Sequence, residues 1–215
     1  MDPLLVDVPT RVETARLILR PLRAGDGPAL HEALIESIVE LRRSLWFIPW
    51  VAEEQTPESA ELRCRKSEAN FLARTDLPFL AFEKSDGRLV GSIGLHRTDW
   101  QVPKTEVGYW IRTSAAGSGY ATEGVRALVA CAFDRLRAQR VELVADEQNI
   151  SSRKVAERCG FELEGVLRNV QRGQDGGLRN ACIYARLPAA ASTLGPADCA
   201  SAASSRRGPA GTQPR

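Results

Sequence analysis

Glu106-Val107-Gly108-Tyr109-Trp110-Ile111, then Arg112-Thr113-Ser114-Ala115-Ala116-Gly117-Ser118-Gly119-Tyr120-Ala121-Thr122-Glu123, is the stretch that decides the fold. Its first six residues read as a strand. The apolar stripe Val125, Leu128, Val129, Ala132, Phe133 and Leu136 that follows has the spacing of one helix face. A strand, a glycine-bearing turn and a helix start together form an anion site. Free N–H groups at the helix start point outward, and the helix dipole favours negative charge. Glycine lets that backbone approach a ligand closely. A phosphate loop of the Walker type needs Gly-Lys-Ser/Thr, which is missing here. A dinucleotide fingerprint needs a third glycine where Thr122 stands. On glycine spacing alone, a plain flexible turn fits as well as an anion cradle.

Outward from this stretch, the pattern alternates between strands and helices. Arg16–Pro21 reads as a strand. A helix follows with Asp26 as N-cap and Leu30, Leu34, Ile38, Leu41 and Leu45 on one face. Trp46-Phe47-Ile48-Pro49-Trp50 breaks it. Thr56-Pro57-Glu58 is a cap, a proline and an acidic first-turn residue, so a second helix starts there and runs to about Ala73. Phe79–Glu83 and Leu89–His96 are strands joined by the hairpin signal Ser85-Asp86-Gly87. Beyond the central helix come the strand Val141–Ala145, a short helix capped by Asn149 and ended by Gly160, and a strand pair around Asp175-Gly176-Gly177. The predicted order is β-α-α-β-β-β-α-β-α-β-β, an α/β (α+β) mixed sheet with helices on its faces.

Residues 12–188 are read as one domain, 1–11 as an N-terminal extension and 189–215 as a disordered tail. The tail is Ala, Ser, Gly, Pro and Arg with Leu194 its only large aliphatic residue, too little apolar surface to offset the entropy of ordering. The net charge of +2 provides no basic field, so no nucleic-acid partner is expected. No run approaches the roughly 20 apolar residues of a membrane span, and the N-terminus lacks the pattern of a signal peptide. Cys64, Cys131, Cys159, Cys182 and Cys199 are odd in number and unpaired in spacing, which predicts neither disulfides nor zinc and fits the cytoplasm. His31 and His96 have no ligand-spaced partner, so no metal is expected and neither is read as catalytic.

Three ordered blocks, spread over about 12–187, resemble the GNAT N-acetyltransferase superfamily, nearest its RimJ/RimL branch. They are Glu13-Thr14-Ala15-Arg16-Leu17-Ile18-Leu19-Arg20-Pro21, the stretch from Val107 to Glu123, and Asn149-Ile150-Ser151-Ser152-Arg153-Lys154-Val155-Ala156-Glu157-Arg158-Cys159-Gly160-Phe161. The resemblance implies direct transfer of acetyl from acetyl-CoA to an amine. It implies a pyrophosphate cradle at Gly117, Ser118, Gly119, Tyr120 and Ala121, with the pantetheine arm paired to Trp110, Ile111 and Arg112 and contacted by Asn149. A backbone N–H near Trp110 would face the developing oxyanion. Glu106 would be the base, directly or through a water, and Ser152 would donate to the leaving sulfur. Trp46 and Trp50 would bind the acceptor. Departures from the family pattern are Ala116 before the first loop glycine, Ser118 between the glycines, and Ala156 where many members carry a tyrosine. The cradle must therefore hold phosphate mainly by backbone.

The acceptor is a protein N-terminal α-amine in this branch. A small amine, or a non-catalytic acyl-CoA-binding module, are the competing readings, and a homodimer is compatible with either. An α-amine needs little help from a base. About 10% of it is neutral at pH 7, against about 0.04% of a lysine amine.

Overall fold

The computed structural model describes residues 2–173 and 175–188. The predicted tail lies outside the described residues. The strands are β1 (Val12–Glu13), β2 (Leu17–Pro21), β3 (Leu77–Glu83), β4 (Leu89–Asp99), β5 (Lys104–Ile111), β6 (Arg140–Asp146), β7 (Glu162–Arg172) and β8 (Leu178–Arg186). The α-helices are α1 (Gly27–Ser44), α2 (Pro49–Ala52), α3 (Pro57–Leu72), α4 (Tyr120–Asp134) and α5 (Ile150–Arg158). All strands join one sheet in the order β1-β2-β3-β4-β5-β6-β8-β7. Every neighbouring pair is antiparallel except β5 and β6, which the α4 crossover makes parallel.

The mixed α/β architecture is the predicted one, with two additions. β1 has two residues, too few to show a period. α2 begins at Pro49, which was read only as a breaker; proline also suits the first turn, where no N–H is needed. At Thr56 the expected cap is present as a reciprocal box with Ser59. Asp26 takes the N-cap position of α1, as expected, but makes no side-chain cap bond, because both its oxygens accept from Arg20 at 2.7 Å in a part-buried pair. Charge-assisted forked bonding outweighs a single cap bond. Glu61 of α3 instead accepts from the Gly25 and Gly27 amides at that helix start.

Helices α4 and α5 cover one face of the sheet, and α1, α2 and α3 cover most of the other. Val125, Leu128, Val129 and Ala132 of α4 are fully buried with Ile93, Leu95 and Val107. Leu30, Leu34, Leu41 and Val51 form the second cluster with Leu80 and Trp110. Gly124 lets α4 approach the sheet: a Cβ there would lie 2.1 Å from Ile93 Cδ1. This close approach brings the start of α4 beside the end of β5. Residues 2–11 are not detached from the domain. Val8 is in the first core and Asp7 pairs with Arg135 at 2.8 Å.

Candidate active site

The site begins where the parallel pair parts. β5 and β6 are registered only over Lys104–Glu106 and Arg140–Glu142. Both strands then run on, to Ile111 and Asp146, without pairing to each other. The sheet therefore opens, and a cavity of about 960 Å³ reaches both its faces. Tyr109, Ala121, Asn149 and Ser152 line one side, and Trp50, Asp76, His96 and Glu106 line the other.

The glycine turn borders this opening. Gly117 (φ +79°) and Gly119 (φ +83°) both lie in the left-handed region, and Gly119 is the N-cap of α4. The N–H groups from Gly117 through Thr122 have no protein acceptor among the described residues. A Cβ at Gly117 would meet nothing within 4 Å. Consecutive unpaired amides at a helix start, reachable from outside, fit a pyrophosphate held by backbone alone.

The turn is held by residues distant in sequence. Arg16 Nη1 donates to Ser118 O at 2.9 Å. Glu123 accepts from Thr14 Oγ1 at 2.5 Å, from Arg16 N at 2.8 Å and from Arg16 Nε at 2.7 Å. Burial opposes ionisation of Glu123, but these bonds outweigh it and hold its pKa low. The Tyr120 hydroxyl donates to Glu83. On the preceding side, Thr113 N donates to Ser37 Oγ at 3.1 Å and Ser114 N to Glu36 Oε1 at 2.7 Å. Tyr120 is thus an anchor through its side chain, and only its amide faces the cradle.

Hydrogen bonding from Ser114, side chain and main chain, holds the Glu36 carboxyl down at about 2, with Arg112 assisting. A lowered carboxylate pKa contributes stability that is present above the unfolded value, about 4.3, and lost as pH falls through the folded one. Thermal melts should therefore show a falling midpoint between about pH 4.5 and pH 2. Glu36→Gln should lower the midpoint at pH 7 and flatten that acid slope. A slope identical in the variant would remove Glu36 from the acid response.

Strand register corrects the expected pantetheine contacts. Arg112 N donates to Val90 O at 2.8 Å, so its amide is taken by β4. Backbone groups of an antiparallel strand alternate in direction. With Ser92 opposite Trp110 and Gly94 opposite Gly108, the Trp110 and Gly108 amides also face β4. Those of Tyr109 and Ile111 face the opening. Trp110 and Arg112 therefore contribute side chains rather than free amides. Trp110 packs in the second core, and Arg112 is buried against Glu32 and Glu36.

On the α5 side, Asn149 Oδ1 caps Ser152 N at 3.0 Å, as expected. Ser152 Oγ accepts a 3.0 Å hydrogen bond from the Tyr109 hydroxyl. Burial pushes the Tyr109 phenol up to about 12, so it remains a protonated donor. The sequence did not decide between half-buried strand packing and a chemical role for Tyr109. Its alternation with Trp110 across the strand was the available signal, since the two must face opposite sides. Arg153 turns inward, with Nε on the Tyr184 hydroxyl at 3.2 Å and Nη1 on Glu147 O at 3.1 Å.

On the other face, Glu106 accepts from Arg97 Nε at 2.9 Å. The Glu106 side chain is 14% exposed and that of Arg97 72%, so the pair is anchored at one end only. His96 Nδ1 lies 2.7 Å from Asp76 Oδ1. Trp50 lines the cavity under the Arg63 guanidinium, 4.1 Å from its ring centre. Trp46 does not line the large cavity. Its indole N–H donates to Arg172 O, joining the end of α1 to β7, and it borders a neighbouring hollow of about 540 Å³. His31 bonds Gln55 O at 3.2 Å, a structural contact.

Residues 16–162 match the family profile described as the Acetyltransferase (GNAT) domain. The chain belongs to the GNAT acetyltransferase family. It is 43% identical over 156 residues to the Bacillus subtilis protein named "Putative ribosomal N-acetyltransferase YdaF", covering 71% of this chain and 81% of that one. It is 28% identical over 109 residues to the Escherichia coli ribosomal-protein-serine acetyltransferase, covering 51% and 59%. The solved structure of RimL, a ribosomal L7/L12 α-N-protein acetyltransferase in complex with coenzyme A, superposes with a TM-score of 0.75. That likeness covers 84% of this chain and 97% of the other at 21% identity and establishes the fold. The GNAT chain described here is an N-acetyltransferase of the kind that uses acetyl-CoA. Among the described residues no helix is long and apolar enough to cross a membrane, and no group of three or more metal-ligating side chains occurs.

Proposed function

We propose that this GNAT enzyme acetylates the α-amine of a protein N-terminus by direct attack while both substrates are bound. The observation that carries the reading is the Glu106–Arg97 pair on the acceptor side of the opening. Any carboxylate is a weak base beside an amine. An α-amine, partly neutral at pH 7, needs no more than that. The names of the B. subtilis and E. coli relatives support a protein acceptor, as does a cavity wide enough for the first residues of a peptide.

Acetyl-CoA supplies the activated acetyl group. The amides from Gly117 to Thr122 hold the pyrophosphate. The Tyr109 and Ile111 backbone pairs with the pantetheine arm by strand addition, and an amide of this edge faces the carbonyl oxygen as it gains charge. Asn149 orients the start of α5, and its amide nitrogen is directed to the arm. Glu106 takes one proton from the acceptor ammonium, directly or through a water. Ser152, held by the Tyr109 hydroxyl, gives a proton to the departing sulfur. Trp50 forms the acceptor wall, and Trp46 positions the segment that carries it.

Residues 12–188 form the catalytic unit in this reading. Residues 2–11 are an extension packed on it. The exposed apolar side chains of edge strand β7, Leu163, Val166, Leu167 and Val170, support a homodimer. Free Cys64, Cys131, Cys159 and Cys182 support a cytoplasmic location.

Thiol release from acetyl-CoA should be measured against peptides with free N-termini, N-blocked lysine peptides, polyamines and aminoglycosides. Release with free N-termini alone is the expected result. Release only with a small amine would replace this acceptor. Binding of CoA without release on any amine would make the chain a non-catalytic module.

A further inference from the structure

We propose that His96, oriented by Asp76, is a second proton acceptor of the transfer, beside Glu106. The sequence left His96 isolated. Folding gives it a carboxylate on Nδ1 at 2.7 Å, from a residue 20 positions away. A carboxylate on one ring nitrogen fixes the tautomer and leaves the other nitrogen as the basic one. That free Nε2 has a built place. Gly94 and Gly108 are register partners on β4 and β5, and the imidazole lies over them. A Cβ on Gly94 would lie 2.6 Å from Nε2, and one on Gly108 would lie 3.3 Å from it. Any side chain at either glycine would crowd the ring.

The ring lies where the reaction is expected. His96 is the direct cross-strand partner of Glu106. Pairing of β5 with β6 stops at Glu106, so the opening begins one residue pair from Nε2. The imidazole lines the cavity on the acceptor side with its side chain 34% exposed. The charged groups around it are Asp76 before β3, Arg97 on β4, Glu106 on β5 and Glu142 on β6. All three carboxylates act on Arg97, which its hydrogen bond to Glu106 keeps charged. With Glu106 occupied by Arg97, the imidazole is the unencumbered base of this face.

The protons balance with two acceptors. An ammonium nitrogen that becomes an amide nitrogen loses two protons while its N–C bond forms and the C–S bond breaks. Glu106 takes the first, which frees the lone pair. His96 Nε2 takes the second, released as the N–C bond forms, and passes it to solvent. The proton on Glu106 also passes to solvent, and the Ser152 hydroxyl, which gives its proton to the sulfur, takes one back from solvent, so the side chains are restored and one proton is released overall.

This inference rests on the catalytic reading but not on the identity of the acceptor. The test uses the full-length protein with whichever amine of the panel accepts acetyl. His96→Gln should lower kcat on the order of 100-fold with KM for acetyl-CoA unchanged, and should abolish the acid limb of the kcat/KM pH profile. Asp76→Asn, a positioning change, should keep that limb and lower kcat by a smaller factor with KM for acetyl-CoA unchanged, because the ring remains but is no longer held by a carboxylate. Thermal melts and CoA binding matching the parent protein exclude misfolding, and His96→Asn serves if the Gln variant melts early. Parent-like kcat and pH profile in a folded His96 variant would overturn the proposal. Transfer restricted to small amines would instead overturn the acceptor reading and leave His96 to be judged on that amine.

Discussion

Gly117→Ala and Gly119→Ala together should weaken CoA binding by on the order of 10- to 100-fold while the domain still folds. Both positions are left-handed, at φ +79° and +83°. Alanine there is strained by roughly 1–2 kcal/mol per residue, which the turn relieves by rotating its peptides. Rotation turns the amides of Gly117 to Thr122 away from a common focus, and they have no protein acceptor to hold them. A cradle with a lysine or arginine between its glycines would keep some charge attraction after such a change. Ser118 offers none, so the loss falls directly on affinity. The fold should survive because an added Cβ meets nothing within 4 Å at Gly117 and only Arg16 Nη2, at 3.5 Å, at Gly119. Gly25→Ala is the control. It is also left-handed, at φ +92°, and also open, but lies before α1. Calorimetry should give it parent-like CoA affinity with a similar loss of stability. Equal affinity in the loop variant and the control would mean that the phosphates are held elsewhere.

The glycine turn was legible because its signal is local. Strand, turn and helix periodicity lie within the 31 positions from Glu106 to Leu136, and the Asn149 cap with its Gly160 terminator lies within twelve. The order of elements along the chain, β1 and α2 apart, followed from the same periodicities. Register was not legible. A strand sequence shows which side chains share a face, but not which amides point to which neighbour; that depends on the partner strand. Trp110 and Arg112 were therefore assigned free amides that β4 in fact occupies, and Tyr109 and Ile111 hold the open edge. Long-range polar pairs were equally hidden. Asp76 and His96, Arg97 and Glu106, and Arg16 and Glu123 each join two ordinary surface-type residues, and neither member departs from its local pattern. Trp46 was read as an acceptor-binding residue, but an indole N–H takes whatever carbonyl the fold presents, here that of Arg172 on β7.

Ser152→Ala should reduce kcat by roughly 100-fold with little change in KM for acetyl-CoA. In the proposed transfer Ser152 would meet the sulfur only as charge builds on it, so its loss would affect the transition state rather than binding. Asn149 accepts from the Ser152 amide rather than its hydroxyl, so the α5 cap survives the substitution. Tyr109→Phe should be slower by a smaller factor. It keeps the buried ring but removes the 3.0 Å bond that orients the Ser152 hydroxyl. Its phenol, raised by burial to about 12, is a poor acid by itself, and in the proposed transfer it would act through the serine. The double variant should then be little worse than Ser152→Ala alone, because a positioning group has nothing left to position. Additive losses would mean that Tyr109 reaches the sulfur independently, in the place of the tyrosine that Ala156 lacks. Parent-like turnover in Ser152→Ala would assign the thiol proton to water. Rapid-quench measurement of the acetyl-transfer step distinguishes these outcomes from slow product release.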